Sequence, residues 1–292
     1  MTEAAYRVAL PDGARHLAIG PPGSGPAALV EGLSLDDLLA GPAAEFWPRL
    51  TAAPRRGLPG SARVVAPVES QDVWAAGVTY APSRDARQAE SAHAAIYQAA
   101  RPELFYKSGG SRVRGPGEPV TIRSDSTWDV PEPEIALLLT SAYEVAALTI
   151  GNDMSSRSIE GANPLYLPQA KIYDGSCALG PCLVPVPARR DMQIQLVIER
   201  GGAAAFRGTA PASWLLRTFE ELADWLGRAL TFPAGAVLLT GTPLIPPAGF
   251  TLAEGDLVRI TIEGIGVLAN PVLRLECGDP PAAETPPAGA RP

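Results

Sequence analysis

The chain has 292 residues, of which 46% are hydrophobic and 19% charged, and its formal net charge is −7. That length fits one large domain with a small one beside it, and the composition is that of a folded chain rather than a disordered one. The acidic balance, with no basic block interleaved with aromatics, argues against nucleic acid as a partner. No apolar run reaches the roughly eighteen residues of a membrane helix.

In chain order, Arg7–Leu10 and His16–Ile19 read as short strands, and Ser34 reads as the N-cap of a helix over Ser34–Leu39. With the Pro-, Gly- and Arg-rich stretch AAPRRGLPGSA at 52–62 as a linker, they make a small N-terminal domain over residues 1–62. Asp85–Ala100 reads as a helix. Apolar or alternating runs at Ile135–Leu139, Ile194–Ile198, Val237–Thr240 and Leu257–Ile262, bounded by Gly and Pro, read as strands. Thr218-Phe-Glu-Glu221 is a capping box that opens a second helix. Phe219, Leu222, Ala223, Leu226 and Leu230 form its apolar stripe. Many short strands and few helices predict an α+β, β-rich catalytic domain over residues 63–277. The segment 278–292, GDPPAAETPPAGARP, is too rich in Pro and Ala to pack and reads as a disordered tail.

The opening residues, MTEAAYRVALPDGARH, lack the basic start and apolar stretch of a signal peptide. Three cysteines (Cys177, Cys182, Cys277) make no disulfide framework, and the first two have no His near them to complete a zinc site. They read as buried thiols of a reducing compartment, which predicts a cytoplasmic protein.

The chemistry concentrates at Pro131-Glu132-Pro133-Glu134, which enters the apolar run IALLL. In an extended chain residues i and i+2 share a face, so Glu132 and Glu134 stand side by side at a strand mouth. Two adjacent anions repel, a cation between them removes that cost, and oxygen ligands suit Mg²⁺, Mn²⁺ or Ca²⁺. Pro131 and Pro133 stiffen the backbone that carries them. Alone, such a pair is more often a solvated strand edge. Here it has company: Asp153 after the run VAALTI, Lys171 in LPQAKIYDG, and the turn Thr240-Gly241-Thr242-Pro243.

The order Glu-x-Glu, NDMSSR, Lys, LGP, LLTGTP and EGDLVRITIEGIGVLANPV, over roughly residues 70–275, resembles the fumarylacetoacetate hydrolase superfamily. The resemblance implies a mixed β-roll catalytic domain with a small N-terminal domain. It implies Mg²⁺ held by Glu132, Glu134 and Asp153, with Mn²⁺ or Ca²⁺ as other candidates. It makes Lys171 the active-site lysine and sets Gly241 and Thr242, in the TGTP turn, against the oxo-acid end of a small-molecule substrate. It also implies a homodimer or homotetramer.

One departure is informative. Hydrolytic members carry a water-activating His where this chain reads Gly77-Val78-Thr79-Tyr80-Ala81-Pro82-Ser83-Arg84, and a general base must lie within hydrogen-bond reach of its proton. The chain has only His16 and His93. The segments GVTYAPSR, RPELFYK, WDVPEPEIAL and SIEGANPLYLPQAK resemble the branch that dehydrates 2-keto-3-deoxy sugar acids, such as 2-keto-3-deoxy-D-arabinonate to 2,5-dioxopentanoate, through a metal-stabilised enolate.

That branch implies site positions for Glu103 and Lys107. Glu103 would handle the leaving hydroxyl, Glu160 would reach the same pocket, and Lys171 would act as base or as electrostatic clamp. Ser83, Arg84, Lys107 and Tyr166 would meet the substrate's carboxylate or hydroxyls. The plainer alternatives are surface charges for Arg84 and Lys107, a helix-end charge for Glu103 and packing for Tyr166. Two competing functions stay open: a hydrolase or decarboxylase of a 2-oxo or 1,3-dicarbonyl acid, and a metal-binding scaffold without activity.

Overall fold

The structure, a computed structural model, describes residues 3–80, 100–187 and 191–276. The helix expected over Asp85–Ala100 (apart from its last residue), the tail from 278, and Ser83, Arg84, His93 and Cys277 lie outside the described residues.

The strands in chain order begin with β1 (Ala4–Ala9), β2 (Arg15–Gly20), β3 (Ala28–Val30), β4 (Arg55–Gly57), β5 (Arg63–Val65), β6 (Asp72–Gly77), β7 (Glu103–Gly109), β8 (Val120–Arg123) and β9 (Asp129–Val130). They continue with β10 (Pro133–Leu139), β11 (Val145–Asp153), β12 (Ser155–Ser156), β13 (Cys177–Val184), β14 (Gln193–Arg200), β15 (Ala203–Pro211), β16 (Ala236–Leu239), β17 (Leu257–Ile262) and β18 (Gly266–Leu275). The described helices are α1 (Leu35–Leu39), α2 (Ala43–Ala52), α3 (Arg157–Ala162), α4 (Leu167–Lys171) and α5 (Phe219–Gly227).

An 11-stranded mixed sheet runs β4-β3-β2-β1-β13-β11-β10-β16-β6-β7, with β5 joined to β1, and a 5-stranded sheet runs β15-β14-β17-β18-β8. Both stay open. The β-rich α+β expectation is thereby met. The stretch 52–62, read as a linker, contains β4, which pairs with β3, and β1 hydrogen-bonds to β13. The N-terminal strands therefore extend the same sheet that carries the catalytic motifs.

The core explains why this sheet tolerates such apolar strands. Along β10, Ile135, Leu137 and Leu139 enter one hydrophobic cluster, while Ala136 and Leu138 enter a second on the other face. A strand covered on both faces reads as a continuous apolar run rather than an alternating one. The first cluster includes Ile194 and Ile198 of β14, Ile260 of β17, and Phe219, Leu222 and Leu226 of α5. The second includes Leu35 and Leu38 of α1 and Phe46 and Leu50 of α2.

Ser34 caps its helix as predicted, but only half of the predicted box at Thr218–Glu221 forms, the Glu221 carboxylate pairing with Arg217 instead. Ser34 and Asp37 form a complete capping box on α1, and Thr218 Oγ1 accepts from the Glu221 N–H at 3.1 Å. One correction concerns the stripe of α5. The helix ends at Gly227, three residues before Leu230, which is 39% exposed and lies outside the core. No described helix is long and apolar enough to cross a membrane.

Candidate active site

The strand directions assemble the site. β10 pairs antiparallel with β11 and with β16, β16 pairs parallel with β6, and β6 pairs antiparallel with β7. The starts of β10 and β7 therefore share one edge of the sheet with the ends of β11, β16 and β6. Glu132 and Glu134 stand at the start of β10, Asp153 at the end of β11, and Gly241 and Thr242 just past β16. Val78 follows β6, and Glu103 opens β7. These residues line one cleft together with Phe105, Arg157, Glu160 and Lys171.

Glu132, Glu134 and Asp153 are buried, and each offers an oxygen within 4.8 Å of the others'. Their register is tied down: Pro133 faces Asn152 across the ladder, and the Asp153 N–H donates to the Glu132 carbonyl at 3.0 Å. Lys171, at the end of α4, donates to Glu132 Oε2 at 2.7 Å, Asp153 Oδ2 at 3.1 Å and Ser155 Oγ at 2.5 Å. Arg157, the first residue of α3, donates to Glu132 Oε1 at 2.6 Å and stands 3.8 Å from Glu160. Glu134 accepts the Gly241 N–H at 2.6 Å.

Gly241 has φ +89°, and a β-carbon there would meet Thr79 Oγ1 at 2.0 Å. Only glycine gives this turn both its backbone and its closeness to Thr79.

Burial disfavours the Lys171 charge, but Asp153 and then Glu132 outweigh it and hold the amine above its ordinary range. Glu134 is raised as well, which for a carboxylate disfavours the charge. Burial first, and then Asp153 and Glu132, push it well above its ordinary value. The inner site thus sets four carboxylates (Glu132, Glu134, Asp153, Glu160) against three cations (Lys107, Lys171, Arg157), and the excess falls on Glu134. A buried, under-compensated all-oxygen donor set fits a hard divalent ion, so the residues present fit Mg²⁺.

The expected site residues do not all arrive. Glu132, Glu134, Asp153, Lys171, Glu103, Glu160, Gly241 and Thr242 line the cleft. Lys107 does not. It is fully buried behind the triad, 2.5 Å from Asp153 Oδ1, and donates to the Met154 and Lys171 carbonyls at 2.9 and 2.5 Å. Alternation alone would put it on the face of Glu103 and Phe105, but the register passes from Val73–Ser108 to Trp74–Tyr106 and skips Lys107, and such a bulge re-aims the side chain. Tyr166 is 43% exposed in a short turn and is absent from the cleft lining. The described lining holds no histidine, and His16 lies on β2.

Arg157 and Ser155 had no role in the sequence reading, although both stand inside the quoted NDMSSR motif. Val78 was also missed. It lines the cleft with φ 50°, a left-handed backbone that β-branched residues seldom adopt.

The family model described as fumarylacetoacetate (FAA) hydrolase C-terminal matches residues 72–273. A Haloferax volcanii protein named probable 2-keto-3-deoxyxylonate dehydratase is 47% identical over 213 residues, covering 70% of this chain and 73% of that protein. The 2-dehydro-3-deoxy-D-arabinonate dehydratase of Saccharolobus solfataricus is 38% identical over 221 residues, covering 72% of this chain and 74% of the relative. A solved 2-keto-3-deoxy-D-arabinonate dehydratase complexed with magnesium and 2,5-dioxopentanoate superposes with a TM-score of 0.81 at 29% identity, covering 94% of this chain and 100% of that one.

Proposed function

The chain belongs to the fumarylacetoacetate hydrolase family, and from that membership we propose that it is a Mg²⁺-dependent hydro-lyase acting on a 2-keto-3-deoxy sugar acid, such as 2-keto-3-deoxy-D-arabinonate. The observation that carries the reading is the buried triad Glu132, Glu134 and Asp153 facing Lys171 in a cleft without a described histidine. The two dehydratases at 47% and 38% identity support the same chemistry.

Bound to the triad, Mg²⁺ supplies Lewis acidity to the 2-oxo carbonyl and lessens the charge that Lys171 must balance. Lys171, whose proton Asp153 and Glu132 hold in place, would take the C3 proton as base only with Mg²⁺ offsetting those two carboxylates, and otherwise clamps the charge of the enolate. Glu103, on the solvent side of the cleft, donates a proton to the C4 hydroxyl, which leaves as water. Moving a proton from C5 to C3, with Glu160 as the available carrier, and tautomerising the enol yields 2,5-dioxopentanoate. The whole change is the loss of one water. Arg157 holds Glu132 and Glu160 in place, and the backbone and hydroxyl of Gly241–Thr242 face the oxo-acid end.

In the same reading the enzyme serves pentose catabolism in the cytoplasm as a homodimer or homotetramer, which light scattering on the purified protein tests. The activity is tested by incubating the protein with 2-keto-3-deoxy-D-arabinonate, first with Mg²⁺ and then with EDTA. Metal-dependent 2,5-dioxopentanoate is the expected product. Pyruvate with glycolaldehyde would mean C–C cleavage and overturn the dehydratase reading.

A further inference from the structure

Gly77 is a glycine without a backbone reason to be one. It is not among the residues with left-handed φ, unlike Gly241. It is the register partner of Glu103 across β6 and β7, and directly opposed residues in an antiparallel pair project side by side on one face. At Gly77 that space is filled by its partner. A β-carbon built there would stand 2.7 Å from Glu103 Cδ, 2.8 Å from Oε2 and 2.9 Å from Oε1. Phe105, two residues further along the same face of β7, lies 5.5 Å from Lys171 Nζ. On this face of β7 the folded-over carboxyl of Glu103 is thus followed by the Phe105 ring, which borders the Lys171 amine in the same cleft.

We propose that Gly77 is a positioning residue, whose missing side chain lets the Glu103 carboxyl fold across β6 into the cleft. The proposal rests on the dehydratase reading and on the role given there to Glu103. It differs from a packing role in one way: an added methyl group collides with the far end of a flexible side chain and with no backbone atom closer than that. Gly77→Ala therefore leaves the strand and the metal triad intact and moves only the carboxyl.

The experiment is a double-mutant cycle in the presence of Mg²⁺, with 2-keto-3-deoxy-D-arabinonate as substrate. It compares wild type, Gly77→Ala, Glu103→Gln and the double variant, and reads kcat, KM, Tm and calorimetric Mg²⁺ affinity. Gly77→Ala is expected to lower kcat by about tenfold or more while KM and Mg²⁺ affinity stay within about twofold. In the Glu103→Gln background the same substitution changes kcat by less than about twofold, because the two act as a unit. Glu103→Asp, one methylene shorter, clears the new methyl group and restores part of the Gly77→Ala loss.

Equal losses in both backgrounds, an unaffected Gly77→Ala enzyme, or a Gly77→Ala chain that fails to fold would overturn the role of Gly77 and leave that of Glu103 standing. A Glu103→Gln enzyme at wild-type kcat overturns both. A wild type that forms no 2,5-dioxopentanoate removes the dehydratase reading and the proposal with it.

Discussion

The two ends of β10 make an instructive pair. From Ile135 to Leu139 every side chain is apolar and at most 1% exposed; at the other end Glu132 and Glu134 are 6% and 1% exposed. Burial is the same and its energetic sign is opposite. The apolar end gains about 25 cal/mol for each Å² removed from water. The acidic end gathers repelling charge that Lys107, Lys171 and Arg157 only partly offset. One strand carries stability along its length and spends some of it at its mouth, the usual relation between a fold and its site.

The comparison is broken most sharply at Glu134. Glu134→Gln is expected to lower turnover by roughly 10³-fold, the scale of losing several kcal/mol of Lewis-acid assistance. The same change stabilises the metal-free protein, because it removes one of the repelling charges; a lowered Tm without metal would contradict this account. Lys107→Met works in the opposite direction. It strips the buried partner from Asp153 Oδ1 and should cost roughly 3–5 kcal/mol in denaturant unfolding. At the apolar end, Leu137→Ala should cost about 2–5 kcal/mol by opening a cavity, while the folded fraction keeps its kcat. Mg²⁺ at about 100 times its Kd should add about 2.7 kcal/mol, a Tm rise of roughly 4 °C for a chain of this size, and Glu134→Gln should abolish that rise.

The smallest effect is one of pH. Burial pushes the Asp129 carboxyl up to about 6. A carboxyl raised in the folded state contributes stability that is present below its unfolded value and lost as the pH climbs through the raised one. Asp129→Asn should therefore gain in Tm relative to wild type as the pH goes from about 4 to about 7. A constant difference across that window would mean that Asp129 is not raised.

Much of this was legible in the sequence because its signals are local. Glu132 and Glu134 share a face by the two-residue strand period, Asp153 and Lys171 sit in ordered motifs, and β10, β14, β16 and β17 appear as bounded apolar runs. What stayed hidden depends on contacts distant in the chain. Arg157 becomes a site residue only when α3 meets Glu132, 25 positions away. Lys107 reads as a surface or substrate charge until β7 places it behind Asp153. Helix α2 contains Pro48, ordinarily an interruption, and burial of Phe46 and Leu50 against the sheet overrides that local signal. Nothing in β4, Arg-Arg-Gly, announces a strand; pairing with β3 makes it one.

The place of β16 in the sheet has a consequence for synthesis. It lies between β10 and β6, yet it follows both in the chain. During translation the antiparallel pairs β6–β7 and β10–β11 can emerge and pair within themselves, each leaving one edge bare where β16 will later insert. Bare edges are templates for intermolecular pairing, and long-range pairings of this kind form late. A chain interrupted before Ala236 therefore carries its acidic triad without the Gly241 amide that holds Glu134, and with two open strand edges. The step that finishes the catalytic cleft is the same step that seals the sheet against aggregation.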